Sequence, residues 1–167
     1  KKSSELDKKT IVVGNGGSAA ISSHVSVDLT KAANIRSVNF NEADLLTCFA
    51  NDYGYELWIS KALEFYADED DTIILFSSSG TSKNILNGAR TAKSLGLNIV
   101  TFSGFDSENP LRNLGDVNFW VDSNEYNIID NLVSSLPDNQ KGRGAHWWTD
   151  EMNFIDQRSI NTIRTIV

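Results

Sequence analysis

Thr72-Ile73-Ile74-Leu75-Phe76-Ser77-Ser78-Ser79-Gly80-Thr81-Ser82 is the stretch that decides the fold of this chain. Ile73 to Phe76 show no polar alternation, the pattern of a strand covered on both faces, and such coverage belongs to parallel sheets. After the small residues, Ile85, Leu86, Ala89, Ala92 and Leu95 fall on one helical stripe, so a helix is expected from Thr81 to Leu95, with Gly96 at the C-cap. Working outward, further β-branched or aromatic runs lie at Thr10 to Val13, Ser37 to Phe40, Asn98 to Phe102 and Val117 to Val121, with helical spacing between them. The alternation predicts an α/β fold with a doubly wound sheet and right-handed crossovers.

In such sheets ligands bind outside the carboxyl ends of the strands. Two small-residue loops fall there. The first is Gly14-Asn15-Gly16-Gly17-Ser18-Ala19-Ala20, where glycines allow close backbone approach and a helix start attracts an anion. Gly14, Gly16 and Ala19 also satisfy the dinucleotide pattern G-x-G-x-x-A, with Glu42 near the place of a ribose-binding acid, and a ligand-free tight turn stays open as well. The second loop puts the hydroxyls of Ser77, Ser78, Ser79, Thr81 and Ser82 beside the unpaired amides of a helix N-terminus, with Lys83 adjacent. Capping accounts for one hydroxyl, not five, so the cluster reads as a phosphate nest, with a purely structural turn as the alternative. Neither loop has the P-loop spacing.

Composition narrows the partners. The 167 residues, 40% hydrophobic, suffice for one core and one domain. Fifteen basic and 22 acidic side chains give a net charge of -7, which argues against direct nucleic-acid binding and against an acidic membrane surface. One cysteine, Cys48, excludes an intrachain disulfide and favours a reducing compartment. No apolar run approaches the roughly 20 residues of a membrane span, and no signal-peptide pattern opens the chain, so the expected location is cytoplasmic. The run Asp68 to Asp71 reads as a solvated turn.

Five segments together carry a family resemblance. They are Gly14 to Ala20; His24 with Asp28-Leu29; Ala50-Asn51-Asp52-Tyr53-Gly54-Tyr55-Glu56; Ser77 to Leu86; and Thr101-Phe102-Ser103-Gly104-Phe105-Asp106. In this order and spacing, over Lys9 to about Asp130, the chain resembles the phosphoheptose isomerase branch of the SIS (sugar isomerase) family. The resemblance implies a five-stranded parallel sheet flanked by helices, flavodoxin-like, a homotetramer, and conversion of sedoheptulose 7-phosphate to a heptose phosphate for lipopolysaccharide and related surface polysaccharides. Ser77, Ser79 and Ser82 match its phosphate pocket, with Ser78 and Thr81 in the same turn. Asn15 and Ser18, with Gly16 and Gly17 between them, match its sugar-contacting loop.

Aldose-ketose isomerisation needs a base beside the carbonyl and an acid to complete the proton shift, and a divalent metal can polarise the carbonyl. His24 and Asp28 are four apart on one helix face, a spacing that fits a metal pair, a base with its partner, or a surface pair. The resemblance implies a zinc ligand at His24 and a carboxylate at Asp28, where relatives carry Glu, with Asp130 at a further ligand position. Asp52 matches a polar active-site residue on the loop beginning at Asn51; its alternative is an N-cap for a helix from Gly54 to Phe65. His146, between Ala145 and Trp147, reads as a partly packed side chain.

The resemblance stops after Asp130. Residues 132–138 hold no histidine where the family has an acid histidine, and Pro137 interrupts a long helix. The expected organisation is a sugar-phosphate-binding domain over 1–136, an irregular segment over 137–151 and an amphipathic helix over 152–167. That helix is either the family's opening helix displaced, as by circular permutation, or an unrelated terminal helix. Three functions follow: a sugar-phosphate isomerase; a non-catalytic SIS module that binds a sugar phosphate or a protein partner; and a dinucleotide-dependent oxidoreductase, which gives the Ser-rich loop no role.

Overall fold

The computed structural model describes residues 8–125, so Asp130, His146 and the segments 137–151 and 152–167 lie outside the described residues. The elements run β1 (Thr10–Gly14), α1 (Gly17–Lys31), β2 (Ser37–Asn39), α2 (Ala43–Tyr53), α3 (Trp58–Tyr66), β3 (Thr72–Ser77), α4 (Lys83–Ser94), β4 (Asn98–Ser103), a 3-10 turn (Pro110–Asn113) and β5 (Val117–Trp120). The five strands form one parallel sheet in the order β2-β1-β3-β4-β5, as expected. Residues Thr10 to Gly14 pair in register with Thr72 to Phe76, and Ser77 pairs with Ser103.

The surroundings of β3 account for its lack of alternation. Ile73 and Leu75 enter a core with Trp58, Ile59, Leu63, Ile85 and Ala89 from α3 and α4, while Ile74 and Phe76 join Val12, Val25 and Leu29 on the α1 face. On that second face Phe76, Phe102 and Phe119 line up across three strands, with ring centroids 4.9 and 4.6 Å apart. Each face of the strand is therefore apolar, and both are covered.

The helix boundaries have local causes. α4 ends where predicted: Gly96 takes φ 77°, its amide donates to the Lys93 carbonyl at 3.3 Å, and the Leu97 amide reaches the Ala92 carbonyl at 3.0 Å. That is a Schellman termination. The expected break at Asn51 is not observed. The half-buried Leu45, Leu46, Phe49 and Ala50 pack against the core, and this carries α2 through Asn51 and Asp52 to Gly54, at φ 87°. Asp52 is thus in the last turn of α2, not on a loop and not an N-cap, and the next helix starts at Trp58 instead of Gly54.

The acidic run also differs from its expected form. Asp71 is 1% exposed, and its carboxylate accepts the Lys9 amide at 2.9 Å and the Asp68 amide at 2.8 Å. Lys9 Nζ bridges Asp71 and Asp68. Burial alone would lower the Lys9 pKa, but its hydrogen bonds and charge contacts with Asp68 and Asp71 leave it above the ordinary lysine value. The same contacts hold Asp68 below the usual carboxylate range. What reads as a solvated turn is a charge lock at the amino ends of β1 and β3.

Candidate functional site

β1 and β3 are neighbours whose connections leave in opposite directions, α1 toward β2 and α4 toward β4. Their carboxyl ends form a topological switch point, the crevice where ligands bind in open α/β sheets. The loops at 14–17 and 77–82 both open there.

In the second loop the Gly80 amide donates to the Ser77 carbonyl at 2.9 Å, closing a turn with Gly80 at φ 64°. A Cβ at Gly80 would lie 2.0 Å from Asn109 Oδ1, so a side chain is excluded by space and by backbone angle. The turn is braced from below. The Leu111 amide donates to the Gly80 carbonyl at 3.1 Å, the Gly104 amide to the Ser78 carbonyl at 2.9 Å, and Asn109 Nδ2 to Ser103 Oγ at 3.0 Å. Asn109 is 2% exposed, and sequence reasoning missed it; its only signal is Asn-Pro at the start of a turn.

The hydroxyls gather in two pairs. Ser77 Oγ and Ser82 Oγ are 3.4 Å apart, and Thr81 Oγ1 donates to Ser79 Oγ at 3.0 Å. Ser77 and Ser78 are buried, Ser79 and Ser82 half-buried, and Thr81 exposed. Ser82 holds the N-cap position of α4 but makes no side-chain capping bond. Its hydroxyl remains with the cluster, and the first-turn amides of Ser82, Lys83 and Asn84 precede the helical ladder. The Lys83 ammonium is engaged by Glu56 at 2.8 Å, and this hydrogen bond raises its pKa.

The first loop has a partly structural cause. A Cβ at Gly14 would meet the Ser18 carbonyl at 2.5 Å, so that glycine lets α1 start close against β1. Gly16, at φ 56°, is the N-cap of α1; it and Gly17 are exposed, while Ser18 is buried. Asn15 is the side chain that crosses the crevice. It exchanges two hydrogen bonds with Asn84, at 2.9 and 2.8 Å, and accepts a third from the Tyr55 hydroxyl at 3.3 Å. Asn84 and Tyr55 stand within the sequence motifs, but nothing local in the sequence marks either as a partner of Asn15.

The expected acid-base residues lie further out. Ser18, Ser22, Val25, Ser26 and Leu29 form the buried face of α1, and His24 projects elsewhere, with 66% side-chain exposure. It is seven residues beyond Gly17, about 10 Å along the axis. His24 Nε2 and Asp28 Oδ2 are 3.3 Å apart. Asp52 is exposed, with Oδ1 accepting from Asn51 Nδ2 at 2.9 Å and Oδ2 lying 3.7 Å from Cys48 Sγ. Burial, then the nearby Asp52 charge, pushes the Cys48 thiol pKa up. Among the described residues no group of three or more His, Cys, Asp or Glu side chains could hold a metal ion. No helix among them is long and apolar enough to cross a membrane.

Fold and site together define a doubly wound α/β domain with a cluster of neutral hydroxyl and amide donors at its switch point. The SIS domain family matches residues 1–104, and the chain belongs to that family. A protein of Thermoplasma acidophilum named probable phosphoheptose isomerase is 34% identical over 131 residues, 74% of this chain and 71% of its own length. The phosphoheptose isomerase of Sulfurimonas denitrificans is 40% identical over 106 residues, so the chain spans only 54% of that relative. Among solved structures, the phosphoheptose isomerase of Neisseria gonorrhoeae superposes with a TM-score of 0.71 at 25% identity, covering 78% of this chain and 72% of that one. That of Francisella tularensis gives 0.73 at 24% identity, over 80% and 74%, a likeness of fold.

Proposed function

We propose that this chain is a sugar-phosphate isomerase of the phosphoheptose kind, acting on sedoheptulose 7-phosphate in the supply of heptose for lipopolysaccharide and related surface polysaccharides. The observation that carries the reading is the Ser82 hydroxyl, which occupies a capping position yet stays 3.4 Å from Ser77 Oγ at the mouth of the switch point. Hydroxyls of Ser77, Ser79 and Ser82 with first-turn amides would hold the ester phosphate, and helix-start donors suit a dianion without a bound cation. Asn15 and the Gly16-Gly17 backbone border the sugar chain.

The proton shift is assigned to α1. Asp28 would take the proton beside the carbonyl, and His24, 3.3 Å away, would hold or return it. Asp52 lies three residues before Tyr55, whose hydroxyl reaches Asn15, and this supports its place at the rim. In a metal-bound form the same pair would act as ligands instead, His24 offering an imidazole nitrogen and Asp28 a carboxylate oxygen to zinc. Zinc, when bound, would polarise the substrate carbonyl. Asp130 would be a third ligand.

Assembly as a homotetramer is supported by an exposed aromatic face on α2 and α3, where Phe65, 66% exposed, meets Phe49, and Phe49 meets Tyr53. Cytoplasmic placement agrees with the acidic composition and the single free Cys48.

A second reading, a non-catalytic sugar-phosphate module, is favoured by the exposure of His24. Incubation with sedoheptulose 7-phosphate and zinc separates the two. Product formation supports the isomerase, a raised melting temperature without product supports the module, and neither effect rejects both.

A further inference from the structure

Asn84 is 3% exposed and lies at the first turn of α4, yet its side chain turns to the other loop. Its Oδ1 accepts the Ile85 amide at 3.0 Å and Asn15 Nδ2 at 2.9 Å, and its Nδ2 donates to Asn15 Oδ1 at 2.8 Å. The orientation of both amides follows from this. A main-chain N–H only donates, so the Ile85 amide requires an oxygen on Asn84 at that position. That oxygen in turn requires a nitrogen from Asn15, and the other half of the exchange follows.

The valences of Asn15 can then be counted. A side-chain amide oxygen has two lone pairs and its nitrogen two hydrogens. Both lone pairs of Oδ1 are taken, one by Asn84 Nδ2 and one by the Tyr55 hydroxyl, and one hydrogen of Nδ2 is given to Asn84. A single N–H remains. Asn15 sits half-buried between the exposed Gly16-Gly17 turn and the Ser-rich loop.

We propose that Asn84 and Tyr55 are positioning residues: they saturate the amide oxygen of Asn15 and leave it one N–H, a fixed donor for an acceptor oxygen of the sugar. The inference rests on the sugar-phosphate reading and deepens it. It also couples the two loops, because the residue that orients the sugar contact is carried by the helix whose start forms the phosphate nest. The strap that bears Tyr55 is tied to that same helix, since Glu56 receives Lys83 Nζ and its carbonyl accepts Asn87 Nδ2 at 3.0 Å.

The test compares two ligands, sedoheptulose 7-phosphate and inorganic phosphate, by calorimetric titration of the wild type and of Asn15→Ala, Asn84→Ala, Tyr55→Phe and the Asn15→Ala/Asn84→Ala pair. Freeing the Asn15 amide should weaken the sugar ester about tenfold in Asn84→Ala and about threefold in Tyr55→Phe, the scale of one hydrogen bond. Inorganic phosphate should stay within about twofold, and the pair should be no weaker than Asn15→Ala alone, as for residues acting through one another. Equal weakening of both ligands, or additive losses in the pair, would overturn the proposal in favour of a general structural role. Should Asn84→Ala not fold, Tyr55→Phe alone decides, because its exposed side chain can lose the hydroxyl without disturbing the core. A wild type that binds the sugar ester no better than inorganic phosphate removes the sugar reading itself, and the amide lock with it. That outcome differs from a wild type that prefers the sugar ester and keeps its preference in every variant, which sinks only the lock.

Discussion

At the amino ends of β1 and β3, Lys9 Nζ lies between Asp68 and a buried Asp71 whose oxygens also collect two backbone amides. At the carboxyl ends of the same two strands, the groups that meet are serine hydroxyls, a threonine hydroxyl and two side-chain amides. The first cluster is closed: charge meets opposite charge, and the carboxylate's acceptors are filled within the chain. The second leaves capacity over, in the Ser82 hydroxyl that caps nothing, in first-turn amides and in one N–H of Asn15. A buried charge must be satisfied internally because its desolvation is costly, whereas neutral donors can stay ready for an anion at little expense. One sheet thus has a closed end and, in the proposed function, a binding end.

The division can be broken by substitution. The largest effect is expected at Asp71→Ala, which leaves the Lys9 ammonium with the exposed Asp68 carboxylate alone and takes the acceptor from two amides. Breaking a buried pair of this kind costs about 3–5 kcal/mol, measurable by urea unfolding, while phosphate affinity of the folded protein should not change. A parallel loss of affinity would show that the two ends are coupled.

Next in size is Gly80→Ala. The positive φ and the approach to Asn109 Oδ1 predict about 1–3 kcal/mol of destabilisation together with loss of phosphate binding, since the turn itself must rearrange. Ser82→Ala inverts that balance. An N-cap serine ordinarily contributes about 0.5–2 kcal/mol, but this one makes no capping bond, so stability should move by less than about 0.5 kcal/mol while phosphate affinity falls about tenfold.

The smallest effect is the pH response of the closed end. The Asp68 pKa is lowered in the folded state, so its contribution is present above the ordinary value of 3.8 and is lost as pH falls through the folded value. Lys9 is raised, so its contribution holds below 10.5 and is lost as pH rises through its folded value. Melting temperature should therefore decline at both extremes, and Asp68→Asn should flatten the acid limb without altering the ligand site.

The binding end is the more legible of the two in the sequence. Five small hydroxyl residues directly after an unbroken apolar run exceed what a helix cap can use, and the glycine at 80 marks the turn among them, where Asn109 leaves no room for a side chain. The strands are legible for the reason that parallel strands usually are: both faces of β3 are covered, so Ile73 to Phe76 could not alternate. Asp71 is not legible. Four acidic residues in a row look alike whether solvated or locked, and the lysine that distinguishes them lies 62 positions away. Asn84 is hidden for a similar reason, because an asparagine near a helix start reads as local capping while its partner is Asn15, 69 positions distant. Asn51-Asp52 reads as a loop because both residues disfavour helix, but the packing of Phe49 and Ala50 carries α2 past them. Local chemistry survives in sequence; pairings between distant loops do not.

Amide chemical-shift changes during titration with inorganic phosphate test the central claim most directly. Saturable shifts should be largest at Ser78 to Asn84, smaller at Asn15 to Ser18, and negligible at Lys9 and at Asp68 to Asp71. Shifts centred on Lys9 and its neighbours, or none at the Ser-rich turn at any phosphate concentration, would contradict it.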